Sequence, residues 1–229
     1  MSVHAIPRVA DDSAVIDRKG RSDLTSSSRQ KLHAEDFLFC LKEPSEEDLR
    51  RFISQQQDSP FSYAEVGASN INVPSGCNVD RNRVFLGRGE GTWRRATEAV
   101  REWQIFNIPW VRLYSPATPI EVGATVAVLV RHFGFHSLNA ARIVYVVDED
   151  GPVCRYGFAC GTLAEHAESG EERFTVEWDR SEDNVWYIIL AFSRPHKTLA
   201  RLGYPLSRML QRRFAEASKA AMVAATSSK

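Results

Sequence analysis

The chain has 229 residues, 43% of them hydrophobic, with 29 Lys+Arg against 29 Asp+Glu and a formal net charge of zero. That length and composition exclude wholesale disorder and fibrous repeats, and they suffice for one large domain or two small ones with a proper core. The charge balance supplies no overall attraction to nucleic acid or to an anionic membrane.

Residues 1–34 mix charge, Ser and Gly without periodicity, as in Arg18-Lys19-Gly20-Arg21 and Ser26-Ser27-Ser28. They are expected to form a disordered tail. They lack the apolar stretch of a secretion signal, and no run in the chain approaches the ~20 apolar residues of a membrane helix. Cys40, Cys77, Cys154 and Cys160 have no CxxC spacing and read as free thiols, so the expected location of this soluble protein is the cytoplasm.

The apolar run at residues 37–41 is predicted to be a short buried strand. Ser45 with Asp48 forms a capping box for a helix whose apolar face is Leu49, Phe52 and Ile53, ending near Gln57. Residues 62–66 read as another short strand. Residues 67–82, rich in Gly, Asn, Pro and Ser, read as a loop. Trp93, Ala96, Val100, Trp103 and Phe106 then recur at helical spacing, predicting a helix from about Gly91 to Asn107, ended by Pro109.

From Trp110 to Ser193 the period becomes two. Strands are predicted at residues 125–133, 142–148, 154–163, 171–179 and 184–192. Ile143, Tyr145 and Val147 share one face of the second. Gly157 and Gly161 mark a bend or bulge in the third. The fourth alternates best, with Glu172, Phe174, Val176 and Trp178 opposed to Glu171, Arg173 and Thr175. After Pro195 come a short helical piece with Leu199 and Leu202, an interruption at Gly203-Tyr204-Pro205, and a long amphipathic helix to about Ala225. An α+β fold satisfies this order: one curved antiparallel sheet wrapped round the terminal helix, residues 35–225 forming a single domain and 226–229 a disordered end. A helix that does not fill the concavity leaves an apolar cavity.

The segment Tyr156-Gly157-Phe158-Ala159-Cys160-Gly161-Thr162-Leu163, then His166, then Gly170-Glu171-Glu172-Arg173-Phe174, resembles the signature of uncharacterised protein family number 0548. So do Phe61-Ser62-Tyr63 with Val66-Gly67, Leu86-Gly87-Arg88-Gly89, and Phe192-Ser193-Arg194-Pro195. The resemblance implies a START-type helix-grip fold and no particular reaction.

Among polar constellations, His166-x4-Glu171-Glu172 stands out. It reads either as an acid–base pair or as a buried ion pair pinning a hairpin. Alternation sends Glu172 to the apolar face, where a carboxylate needs a partner, and Arg194 or Arg155 are the candidates. Gly87-x-Gly89-x-Gly91 lacks a following βαβ unit and reads as turn glycines. His132-x3-His136 has no Cys or carboxylate companion, so no metal is expected. The segment from Pro195 onward carries seven basic residues against one acidic, Glu216, most simply a solvated helix face.

The leading expectation is binding of a small, largely apolar molecule in the cavity. His166, Glu171, Glu172 and Arg194 are candidate polar contacts, and Tyr156, Trp178 and Tyr187 candidate wall residues. An enzyme of cyclase, isomerase or hydrolase type in the same cavity is the alternative, using His166 with Glu171 or Glu172. Docking of the basic terminal helix onto a membrane surface or a protein is a third, less favoured reading. No cofactor and no nucleic acid partner are expected.

Overall fold

A computed structural model describes residues 40–164, 166, 168–195 and 204–227. The expected N-terminal tail, residues 228–229 of the expected C-terminal end, residues 37–39 of the first predicted strand, and the short piece with Leu199 and Leu202 lie outside the described residues, whereas Thr226, expected in the disordered end, closes the last helix and is buried. Of that first strand, Cys40 is described, and it makes a single antiparallel bridge with His136.

Seven antiparallel strands form one sheet: β1 (Asn78–Arg88), β2 (Val111–Tyr114), β3 (Thr125–Arg131), β4 (His136–Glu149), β5 (Val153–Thr162), β6 (Glu168–Asp179) and β7 (Asn184–Pro195). Their spatial order is β1-β7-β6-β5-β4-β3-β2, so β2 to β7 form a meander and β1 closes onto the last strand. The helices are α1 (Glu46–Gln56), the short α2 (Ala68–Ile71), α3 (Gly89–Arg101) and α4 (Tyr204–Thr226). This is the helix-grip architecture. Among the described residues no helix is long and apolar enough to cross a membrane.

Period-two alternation gives each face of the sheet its own cover. On one face α1 buries Leu49 and Phe52 against Ala127, Leu129, Leu138, Ala140 and Leu163. The predicted capping box is present, with the Ser45 hydroxyl accepting from the Asp48 amide at 3.2 Å and the Asp48 carboxylate accepting from the Ser45 amide at 3.1 Å. Arg142 closes the other end of α1 by donating to the carbonyls of Gln56, Gln57 and Ser59. On the opposite, concave face α3, α4 and a 3₁₀ turn at Gln104–Phe106 pack over Phe158, Phe174, Val176, Tyr187 and Ile189. Arg95 of α3 donates to the Thr226 carbonyl at 2.8 Å, a cation at the C-terminal end of α4 where the helix dipole favours it.

Several expectations need correction. Residues 62–66 form no strand: Phe61 makes one bridge with Leu163, and the rest of the segment lies across the convex face, where the Tyr63 ring packs edge-on against Phe192. The predicted loop at 67–82 contains α2 and the start of β1. β1 escapes pattern reading because its inward side begins with Asn78, Asp80 and Asn82, so neither face looks apolar. The predicted helix to Asn107 breaks at Trp103, which adopts φ 56° and buries its ring against Phe158. The irregularity expected at Gly157 or Gly161 sits on the neighbouring strand, between Ile143 and Tyr145. That shift separates the predicted common face: Ile143 joins the concave core, while the Tyr145 hydroxyl meets Ser69 at 2.5 Å on the other side. Gly157 and Gly161 are instead sites of close approach, beneath the Phe174 carbonyl and the Tyr63 hydroxyl.

Candidate functional site

Close packing does not extend over the whole concave face. Between the sheet and the first half of α4 lies an open cavity of about 630 Å³. One wall is apolar, from Val126, Val128 and Val130 of β3 and Ala141 of β4, with Trp110 and Phe135 beside it. Phe106, Phe174 and Phe214 form an aromatic floor, with ring centroids 5.7 Å (Phe106–Phe174), 5.6 Å (Phe106–Phe214) and 6.3 Å (Phe174–Phe214) apart. Leu206 and Leu210 extend the apolar lining along α4.

The other wall is polar, and strand register builds it. Asp80 stands opposite Ala191, Ala191 opposite Glu172, and Glu172 opposite Cys160, so these residues form one inward-facing row across β1, β7, β6 and β5. Asp80 is held by Arg208 of α4 through a two-pronged ion pair, Nη1–Oδ2 2.5 Å and Nη2–Oδ1 2.6 Å. Arg208 also donates to Gln211, which in turn donates to Ser193 at 3.3 Å. Ser207 donates to Glu168. These contacts tie the start of α4 to the sheet beside the cavity.

Glu172 differs from its neighbours. It faces the cavity with no hydrogen bond or ion pair to any of the described residues. Burial, and secondarily the Asp80 charge, raise its pKa from 4.5 to about 7. Burial and the nearby Glu172 and Glu171 charges also push the Cys160 thiol far up, which leaves it a neutral wall group rather than a nucleophile.

Glu171 points to the convex face. Its carboxylate accepts from the Tyr63 hydroxyl at 2.8 Å, the Gly67 amide at 2.7 Å, the Ser69 amide at 3.0 Å and the Ser69 hydroxyl. Gly67, at φ 87°, turns the chain so that its amide reaches this carboxylate. Burial raises the Tyr63 pKa, with the Glu171 hydrogen bond adding to it. The partners expected for Glu172 are engaged elsewhere: Arg194 pairs with Glu65 at 2.8 Å, and Arg155 with Glu149 and Glu177 at 3.0 Å each.

His166 lines the cavity, and its Nδ1 accepts from the Glu168 amide at 3.0 Å. No hydrogen bond among the described residues joins it to Glu172. The candidate wall residues lie further along the concave face, outside the cavity. Tyr156 sits under the Arg101 guanidinium, Trp178 stacks beside Trp93 and donates to Asp183, and the Tyr187 hydroxyl meets Ser218 at 2.8 Å in the core. Sequence reading missed Asp80, Asn82 and Gln211, which became visible only once β1 and α4 were placed. Among the described residues no group of His, Cys, Asp and Glu is arranged to hold a metal ion. The basic helix face is partly used at home: besides Arg208, Lys219 pairs with Glu216 and Arg213 covers Trp110.

The family described as "Domain of unknown function (DUF1990)" matches residues 62–221. A UPF0548 protein of Dictyostelium discoideum is 36% identical over 77% of this chain and 90% of its own length. One from Deinococcus radiodurans is 38% identical over 78% and 93%. Among solved structures, hypothetical protein jhp0584 of Helicobacter pylori aligns with TM-score 0.45 and 15% identity over 68% of this chain and 92% of its own.

Proposed function

This chain belongs to the DUF1990 family, and from that premise we propose that it binds a small, largely apolar molecule in the cavity between the curved sheet and α4. The observation that carries the reading is the cavity itself, about 630 Å³ of space where a core would otherwise be packed. Protein interiors fill to crystal-like density, and voids of this size with an apolar wall and a few convergent polar groups are characteristic of ligand sites. The apolar wall from β3 holds the body of the molecule. The row from β1, β6 and α4 fixes its polar end.

Native mass spectrometry of the purified protein, followed by solvent extraction, tests the reading. The expected result is a retained apolar compound, or uptake of an added one, that is lost in Val128→Trp, where the indole fills the cavity. Failure of the wild-type protein to take up any apolar compound would sink the proposal.

A further inference from the structure

The polar end of the cavity carries an unbalanced charge. Glu172 has no partner among the described residues. Asp80 is neutralised by Arg208, and Glu216 by Lys219. Glu168 accepts from the Ser207 hydroxyl, with no cation of the described residues paired to it. From β5 the facing group is the neutral Cys160 thiol, and from β7 Ala191 and Ser193. From α4 the remaining cations are Arg212, which is exposed, and Arg213, which covers Trp110. The turn before β6 adds His166. No cationic side chain of the described residues pairs with Glu172.

Next to it on the same face of β6 is Phe174, the centre of the aromatic floor with Phe106 and Phe214. A half-buried carboxylate without a counter-ion is costly, and a cation supplied from outside removes that cost. Aromatic faces attract the same kind of charge. Resting on the cavity-binding reading, we infer that the ligand is an amphiphilic amine, its ammonium group held by Glu172 above the Phe106–Phe174–Phe214 floor and its apolar body lying along Val126, Val128 and Val130.

The test compares three probes with one chain length, decylamine, decanol and decanoate, by isothermal titration calorimetry at pH 8. Each is kept below its solubility limit and, for the charged probes, below its micellar concentration. The amine remains protonated at this pH. Decylamine is expected to bind at least ~10-fold tighter than decanol, and decanoate most weakly, as charge-assisted contacts exceed neutral ones. In Glu172→Gln the amine advantage disappears, and decylamine and decanol bind alike.

Equal binding of all three by the wild-type protein would overturn the amine assignment and leave the cavity reading standing. Survival of the amine advantage in Glu172→Gln would also overturn it. Binding of none of the three would remove both readings.

Discussion

Glu171 and Glu172 are adjacent in sequence and lie on opposite faces of β6, the first saturated with donors and the second facing open space. Glu171 accepts hydrogen bonds from Tyr63, Gly67 and Ser69 and fastens residues 61–71 to the convex face. Glu172 stands in the cavity wall. The peptide bond between them separates a structural carboxylate from one available to a ligand.

Glu171→Ala leaves the Tyr63 hydroxyl and the Ser69 amide buried without their acceptor. Each orphaned donor costs about 1–3 kcal/mol, so urea denaturation is expected to show a loss of several kcal/mol. Glu171→Gln, which keeps an acceptor oxygen, should lose less. Equal stability of the alanine variant and the wild type would contradict the anchoring role.

Glu172 should make stability fall with rising pH. Its folded pKa is raised from 4.5 to about 7, so the native state holds the proton more tightly than the unfolded state. The contribution is fully present below about pH 4.5 and is lost as pH rises through 7, a change on the order of 3 kcal/mol. Glu172→Gln should flatten the stability curve over that window relative to wild type. Denaturation midpoints at half-unit pH steps would show it, and identical curves would refute it.

The Asp80–Arg208 pair joins the edge strand to α4. A double-mutant cycle with Asp80→Asn and Arg208→Met is expected to give a coupling of about 1 kcal/mol or more, as partly buried, two-pronged pairs do. Arg208→Met alone leaves the Asp80 charge unopposed beside Glu172. The Glu172 titration followed by carbon NMR should therefore move to higher pH. A downward move would show that Asp80 does not act on Glu172.

The glycines divide by environment. A methyl at Gly157 would run into the Phe174 carbonyl and the Thr175 backbone, so Gly157→Ala should cost several kcal/mol or prevent folding. Gly91 lies inside α3, with only the Arg95 guanidinium within 4 Å of a would-be Cβ. Gly91→Ala should stabilise by roughly 0.5–1 kcal/mol through helix propensity. Thermal melts of the two variants are expected to move in opposite directions.

Most of the architecture was legible in the chain. Period-two alternation located the meander, the Ser45–Asp48 box located α1, and the spacing of Leu206, Leu210, Phe214 and Ala221 located α4. Alternation also separated Glu171 from Glu172. What escaped has a common cause. β1 carries Asn78, Asp80 and Asn82 on its inward side because that side faces a polar cavity wall rather than a packed core, so the hydrophobic signal for a strand is missing where the site lies. The partners of Arg194 and Arg155 depend on which chain segments meet in space, and spacing along one chain does not contain that information. Trp103 broke the predicted helix because tertiary burial against Phe158 outweighed local propensity.

The pairing of the first strand with the last has a consequence for biosynthesis. Asn78 is made early and finds its partner, Ser193, only when β7 has been translated. α4, which roofs the concave face, is made later still. During elongation the growing chain therefore carries an unpaired strand edge and an uncovered apolar trough, the two features that most invite aggregation. Such non-local closure is also slow, because long loops must be ordered before their contacts form. A ribosome stalled before Tyr204 would present the part of that trough that α3 does not cover, a natural substrate for holding chaperones.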